Sequence, residues 1–80
     1  MSEKSNDLQQ QILRYLQLNP RAAETAGGVN RVWLRRPPIP DAVVEVEQAL
    51  RELVLAGKME RHDLPGGEKV YRRTERRKSG

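Results

Sequence analysis

The sequence contains no cysteine and only one histidine among its 80 residues. It therefore offers neither a disulfide framework nor a thiolate metal site, and we predict that the protein uses no metal and no cofactor. The longest uninterrupted apolar run, Leu53–Ala56, is far too short to cross a bilayer. The polar start MSEKSND also lacks the basic and then apolar pattern of a signal peptide. These absences predict a cytoplasmic protein with no membrane partner.

The charge is distributed unevenly along the chain. Residues 1–57 contain seven basic and seven acidic side chains, whereas the chain from Lys58 onward contains eight basic and four acidic ones. The C-terminal third therefore carries the whole net charge of +4. Such an asymmetry favours a polyanionic partner at that end. The alternative is a solvated basic tail that only improves solubility.

The N-terminal segment has the pattern of an amphipathic helix. Asn6 and Gln9 form a capping box that predicts the helix start, and residues 1–5 are expected to be disordered. Proline at position 20 predicts its end, because the residue before proline disfavours helical geometry. The apolar residues that recur at helical spacing are Leu8, Ile12, Tyr15 and Leu16.

The second segment is less regular. Its apolar face consists of Ala22, Ala26, Val29 and Trp33. Gly27 and Gly28 weaken a helix here by about 1 kcal/mol each relative to alanine. We interpret residues 22–34 as a helix whose glycines permit either the close approach of a neighbour or a bend, and we leave open whether it is one helix or two. Trp33 is expected to be a core anchor, and RRPPIP forms a connector.

A third helix is predicted from Asp41, as its cap, to Ala56, with Gly57 as its stop. Its core stripe consists of Val43, Val46, Leu50, Leu53 and Val54. Two short strands follow, with Met59 pointing inward in the first and Tyr71 packing on the body from the second. Between them, Pro65 and Gly66 suit a type II turn. Residues 75–80 are expected to be a disordered basic tail.

This order of elements resembles the winged helix-turn-helix superfamily over residues 8–74. The most specific matching piece is EQALRELVLAGKMERH…GGEKVYRRT. The resemblance implies an α+β domain at residues 6–74, with a three-helix core and a C-terminal two-stranded β-hairpin wing. In that superfamily the third helix lies in the major groove of DNA, while the wing contacts the backbone or the minor groove.

The resemblance and the charge pattern together predict a small DNA-binding protein of regulatory type, which binds double-stranded DNA mainly through phosphates. The residues assigned to nucleic-acid binding are Arg61, Lys69, Arg72 and Arg73 in the wing, Arg76, Arg77 and Lys78 in the tail, Arg35 and Arg36 in the connector, and Gln48 and Arg51 on the third helix.

The third helix also supports a different interpretation. This helix carries a single cation, Arg51, and four carboxylates that would repel phosphates, namely Asp41, Glu45, Glu47 and Glu52. Glu45 and Glu52 are expected on the outer flank of its exposed face. Val44 and Leu55 lie on the same outward face, and exposed apolar pairs of this kind can mark a protein contact. The alternative is therefore a winged-helix interaction module that binds a second copy or another protein. No nucleophile, base or phosphate loop occurs at a catalytic spacing, so we predict that the protein is not an enzyme.

Overall fold

A computed structural model of the chain describes residues 3–74, and it is an α+β fold with a three-stranded antiparallel sheet. The elements in chain order are α1 (Glu3–Leu18), β1 (Ala23–Glu24), α2 (Ala26–Gly28), a π-helical segment (Val29–Trp33), α3 (Pro40–Leu55), β2 (Met59–Asp63) and β3 (Lys69–Arg73). The sheet order is β1-β3-β2. Within these residues, no helix has the length and apolar content needed to cross a bilayer. The predicted tail, residues 75–80, lies outside the described part of the chain.

Helix α1 begins earlier than the capping box predicts. It starts at Glu3, and Ser5 is buried with its hydroxyl donating to Glu52 Oε1 at 3.0 Å. The predicted start at Asn6 is therefore wrong, and residues 3–5 are helical where we expected disorder. A contact with α3, 47 residues away, supports this first turn, and local capping patterns carry no information about such a contact. The predicted end before Pro20 is confirmed.

The second segment is not a continuous helix. Ala23 and Glu24 form β1 and pair with Arg72 and Tyr71 of β3. Thr25 then caps α2, because its hydroxyl oxygen accepts a hydrogen bond from the Gly28 amide at 3.2 Å. Alanine and glutamate are weak strand formers, so β1 depends on pairing with the distant β3. This strand was therefore not predicted from the sequence. Residues 22–34 therefore contain a strand, a helical turn and a π-helical segment.

Helix α3 begins at Pro40, so the prediction of Asp41 as its cap is wrong. Proline suits the first helical turn because its missing amide hydrogen would have no partner there. The predicted core stripe is confirmed for Val46, Leu50 and Leu53, which are buried, and its flanking valines are half-buried. Trp33 is buried, as predicted, and stacks on Tyr15 with ring centroids 4.8 Å apart. The core is completed by Leu8, Ile12, Leu16, Ala26, Val29, Ala49, Met59 and Tyr71.

The predicted C-terminal hairpin is present as β2 and β3. Gly57 has a φ of 77° and follows the last residues of α3, as a helix stop requires. The hairpin turn differs from the predicted type II, because Gly67 and not Gly66 has positive φ. Its amide donates to the Leu64 carbonyl at 2.9 Å.

Strand alternation assigns the side chains of the hairpin to two faces. Met59 and Tyr71 are both buried, so they mark the inner face of the hairpin, and β2 packs against α3. The register puts Arg61, Asp63, Lys69 and Arg73 on this inner face and Glu60, His62, Val70 and Arg72 on the outer one.

Candidate nucleic-acid interface

A groove with a volume of about 430 Å³ separates the exposed side of α3 from the inner face of the hairpin. We call it the α3–hairpin groove. Its residues are three cations, Arg51, Arg61 and Lys69, one carboxylate, Glu47, and three side chains with apolar surface, Val54, Leu55 and Tyr71. Arg51 reaches it because it lies on the face of α3 opposite the core stripe. The other two cations reach it because they alternate with buried residues along the strands.

Two of the three cations in this groove have no counter-ion within the described residues. Arg61 Nε lies 3.4 Å from Asp63 Oδ1, and both side chains are about half exposed or more. An ion pair so exposed contributes little. Neither Arg51 nor Lys69 has an ion pair within 4.0 Å among residues 3–74. Arg61 and Lys69 of the predicted wing and Arg51 of the third helix thus lie around one groove, a grouping that the sequence did not indicate.

Two half-buried carboxylates on the flank of α3 bind side chains of α1 and the connector. Glu45 binds Lys4 of α1 at 3.1 Å and Arg36 of the connector. Hydrogen bonds from Arg36 and Lys4 lower the pKa of the Glu45 carboxyl from its ordinary value of 4.5. Glu52 Oε1 accepts hydrogen bonds from Ser5 and from Gln9 Nε2, the latter at 2.6 Å. Glu45 and Glu52 lie half-buried on the flank of the outward face, as expected, and α1 and the connector hold their carboxylates.

Arg36 is engaged within the fold, and its role as a phosphate ligand stays a prediction. Its guanidinium donates to Glu45 and, at 3.3 Å, to the Ala42 carbonyl, and only 24% of its side chain is exposed. These contacts fix the connector to the first turn of α3. Arg35 is exposed and has a φ of 54°, which places it at the turn before α3.

The outward face of α3 carries the remaining residues that we predicted there. Val44, Gln48, Arg51 and Leu55 line a shallow depression of about 440 Å³ together with two glutamates. Val44 is 58% exposed and Leu55 is 79% exposed. The side chains proposed for protein contact and those proposed for DNA contact therefore share one surface.

The predicted wing cations do not form a single cluster. Arg72 lies on the outer face, where its Nε is 3.4 Å from Glu60 Oε1. Arg73 lies at the base of the hairpin, at the end of β3 opposite Lys69. Arg76, Arg77 and Lys78 lie outside the described residues. The structure therefore separates Arg72 and Arg73 from the groove. Alternation with the inward-facing Tyr71 accounts for Arg72, whereas the place of Arg73 depends on which end of β3 meets the groove.

His62 Nε2 lies 3.1 Å from Glu60 Oε1 on the exposed outer face. Within residues 3–74, no group of three histidine or acidic side chains is arranged to hold a metal ion. The absence of a metal and of catalysis both stay predictions.

No protein-family model matches this chain, and no curated protein and no solved structure is significantly similar to it.

Proposed function

We propose that this chain is a small winged-helix DNA-binding protein of regulatory type that contacts the phosphate backbone of a duplex through the α3–hairpin groove. The observation that carries the proposal is the grouping of Arg51, Arg61 and Lys69 around one groove beside the exposed face of α3. A helix followed directly by a hairpin, with cations on the surfaces that face each other, supports it further.

The electrostatics of α3 now favour DNA more than its composition indicates. Lys4 and Arg36 neutralise Glu45, whereas Glu52 keeps its charge and accepts hydrogen bonds from the neutral Ser5 hydroxyl and Gln9 amide of α1. Asp41 and Glu47 are the only other carboxylates of this helix. Arginine suits phosphate because its planar guanidinium can donate two parallel hydrogen bonds. Gln48 and Arg51 also supply side chains of the types that read base edges in a major groove.

The test is a fluorescence anisotropy titration of mixed-sequence duplex DNA at several salt concentrations. We compare Arg51→Gln with Arg14→Gln, since both are exposed helical arginines without an ion pair among residues 3–74, and Arg14 lies outside the groove. Arg51→Gln should weaken binding and make the salt dependence shallower by about 0.9 in logarithmic slope for each lost phosphate contact. Arg14→Gln should leave both unchanged. Absence of binding at low salt, or equal effects of the two variants, would contradict the proposal.

A second function is favoured by the exposure of Val44 and Leu55. In that case the outward face of α3 binds a second copy or another protein. Light scattering over a range of concentrations tests the self-association form, with Leu55→Asp as the disruptive variant. Leu18→Asp is its matched control, because Leu18 is 78% exposed on α1. Association that only Leu55→Asp abolishes supports this function, whereas a monomer at every concentration excludes the homodimer.

A further inference from the structure

A second cationic surface lies at the base of the hairpin, on the side that faces α1. Arg21, Arg72 and Arg73 line one depression of about 340 Å³ with Pro20 and Ala22. Lys58 and Arg73 line an adjoining depression of about 430 Å³ with Gly57, Thr74 and three residues of α1, namely Leu13, Leu16 and Gln17. We call the two depressions, which share Arg73, the hairpin-base patch.

The backbone brings these cations together from distant parts of the chain. Pairing of Ala23 with Arg72 carries Arg21 to the edge of β3. At the other side of β3, the Thr74 amide donates to the Lys58 carbonyl at 3.3 Å, and the Thr74 hydroxyl donates to the Gly57 carbonyl at 3.0 Å. These bonds hold Lys58 beside the end of β3.

Three of the four cations in this patch have no ion pair within the described chain. Among residues 3–74, no carboxylate lines either depression. Arg72 reaches Glu60 on the outer face, but Arg21, Lys58 and Arg73 have no ion pair within 4.0 Å in this part of the chain. Arg21 and Lys58 follow the C-terminal ends of α1 and α3, where helix dipoles favour cations. That explanation does not extend to Arg73, which belongs to β3.

The patch and the α3–hairpin groove have no lining residue in common. Residues of α1 line the patch, whereas the groove is lined by the side of α3 that faces away from the core. Lys69 and Arg73 are four residues apart in β3, which corresponds to about 13 Å along an extended strand. The two cationic surfaces are therefore separate.

We propose that the hairpin-base patch binds the phosphate backbone of a second duplex segment while the α3–hairpin groove holds the first, so that one molecule bridges two DNA segments. This rests on the proposed DNA-binding function. Three arginines and a lysine suit phosphates. A protein partner fits the patch less well, because neither depression is lined by any of the exposed large apolar side chains of residues 3–74, which protein interfaces use as anchors.

The test is a bridging assay in which one duplex is immobilised on beads and a second, fluorescent duplex is captured only if the protein binds both. The patch variant is Arg21→Gln with Lys58→Gln and Arg73→Gln. The matched control for charge is the groove variant, Arg51→Gln with Arg61→Gln and Lys69→Gln. Anisotropy with a single duplex is measured in parallel for the wild type and both variants. If the triple patch variant does not fold by circular dichroism, Arg21→Gln with Arg73→Gln replaces it.

We expect the patch variant to lose capture by about tenfold while its affinity for a single duplex changes much less, since the groove contacts remain. The groove variant should lose both the capture of the second duplex and the affinity for a single duplex. Capture that persists in the patch variant, or a wild type that binds one duplex but never two, would overturn the bridging proposal and leave the proposed function intact. A wild type that binds no duplex at low salt would overturn both. Capture kept in the patch variant, together with self-association in light scattering, would assign bridging to a dimer and overturn the proposal. If the hairpin-base patch binds polyglutamate and not DNA, the bridging proposal is overturned and the partner of the patch is an acidic protein.

Discussion

Glu45 and Glu52 determine how much negative charge α3 presents to solvent. Glu45 joins Lys4 to Arg36, and Glu52 accepts hydrogen bonds from two side chains of α1. The helical wheel placed both glutamates correctly beside the exposed stripe, but it could not show which neighbours they meet. Their partners lie as far as 47 residues away in the sequence. The composition of α3 therefore overstates its repulsion of phosphates.

Glu45 makes the stability of the fold depend on acid pH. Its folded-state pKa lies below the ordinary 4.5, first because Arg36 and then because Lys4 hydrogen-bonds to the carboxylate. The stabilisation is therefore complete above pH 4.5 and is lost as the pH falls through the lower folded-state value. We expect the free energy of unfolding of Glu45→Gln to decline less below pH 4.5 than that of the wild type, as measured by urea unfolding. Parallel pH profiles for the two proteins would refute this role of Glu45.

We expect substitution by alanine to change the stability of the protein differently at the two adjacent glycines of α2. A Cβ on Gly27 would meet its nearest atom, Thr25 Oγ1, at 4.0 Å, so Gly27→Ala should stabilise the protein by about 0.5–1 kcal/mol. A Cβ on Gly28 would lie 2.0 Å from Glu24 Oε1, which accepts a hydrogen bond from the Thr25 amide. Gly28→Ala should therefore displace the Glu24 side chain, and the stabilisation expected for Gly27→Ala should be absent.

The comparison is completed in a Glu24→Ala background, where Gly28→Ala should become as favourable as Gly27→Ala. Equal stabilisation by both alanines with Glu24 present, again from urea unfolding, would show that the close approach has no energetic consequence. The sequence did predict that the glycines permit either a close neighbour or a bend, and Glu24 is that neighbour at Gly28.

At the scale of elements, the sequence predicted the long helices with regular apolar spacing but not the short strand β1. The stripe of α3 and the apolar spacing of α1 identified two helices that pack through Leu50, Leu53 and Ile12. Strand β1 has only two residues and no strand-forming side chains, so its existence depends on the edge that β3 offers. The pairing of β1 with β3 also explains why residues 22–34 are not one continuous helix, although their apolar residues are spaced as in an amphipathic helix.

Gly57 is the residue on which the junction of α3 with the hairpin depends. Its φ of 77° lies in the left-handed region that disfavours alanine, so Gly57→Ala should cost about 1–2 kcal/mol in unfolding free energy. Nothing lies within 4 Å of a Cβ at this position, so the cost comes from the backbone alone. Gly66→Ala is the matched control, because Gly66 has equally open surroundings without positive φ. Equal effects of the two substitutions would contradict this account.

At the scale of the whole molecule, the sequence predicted a cationic C-terminal third but not its division. Register and packing divide it into the α3–hairpin groove, the outer face with Arg72, and the hairpin-base patch. Arg61 and Lys69 meet Arg51 of α3 at one groove, which the sequence did not indicate, and Arg36 of the connector is held by Glu45. Arg21 and Lys58 received no assignment, because only the pairing of β1 and the end of α3 bring them near Arg73.

The most direct test of the central claim is a two-dimensional amide NMR titration of the labelled protein with mixed-sequence duplex DNA, first at low salt and then at physiological salt. We predict that the first equivalent of duplex shifts the amides of residues 48–55 together with those of Arg61 and Lys69. These shifts should diminish as salt is added, since phosphate contacts release counterions. Absence of shifts at low salt, or shifts that leave the α3–hairpin groove unaffected, would contradict the account.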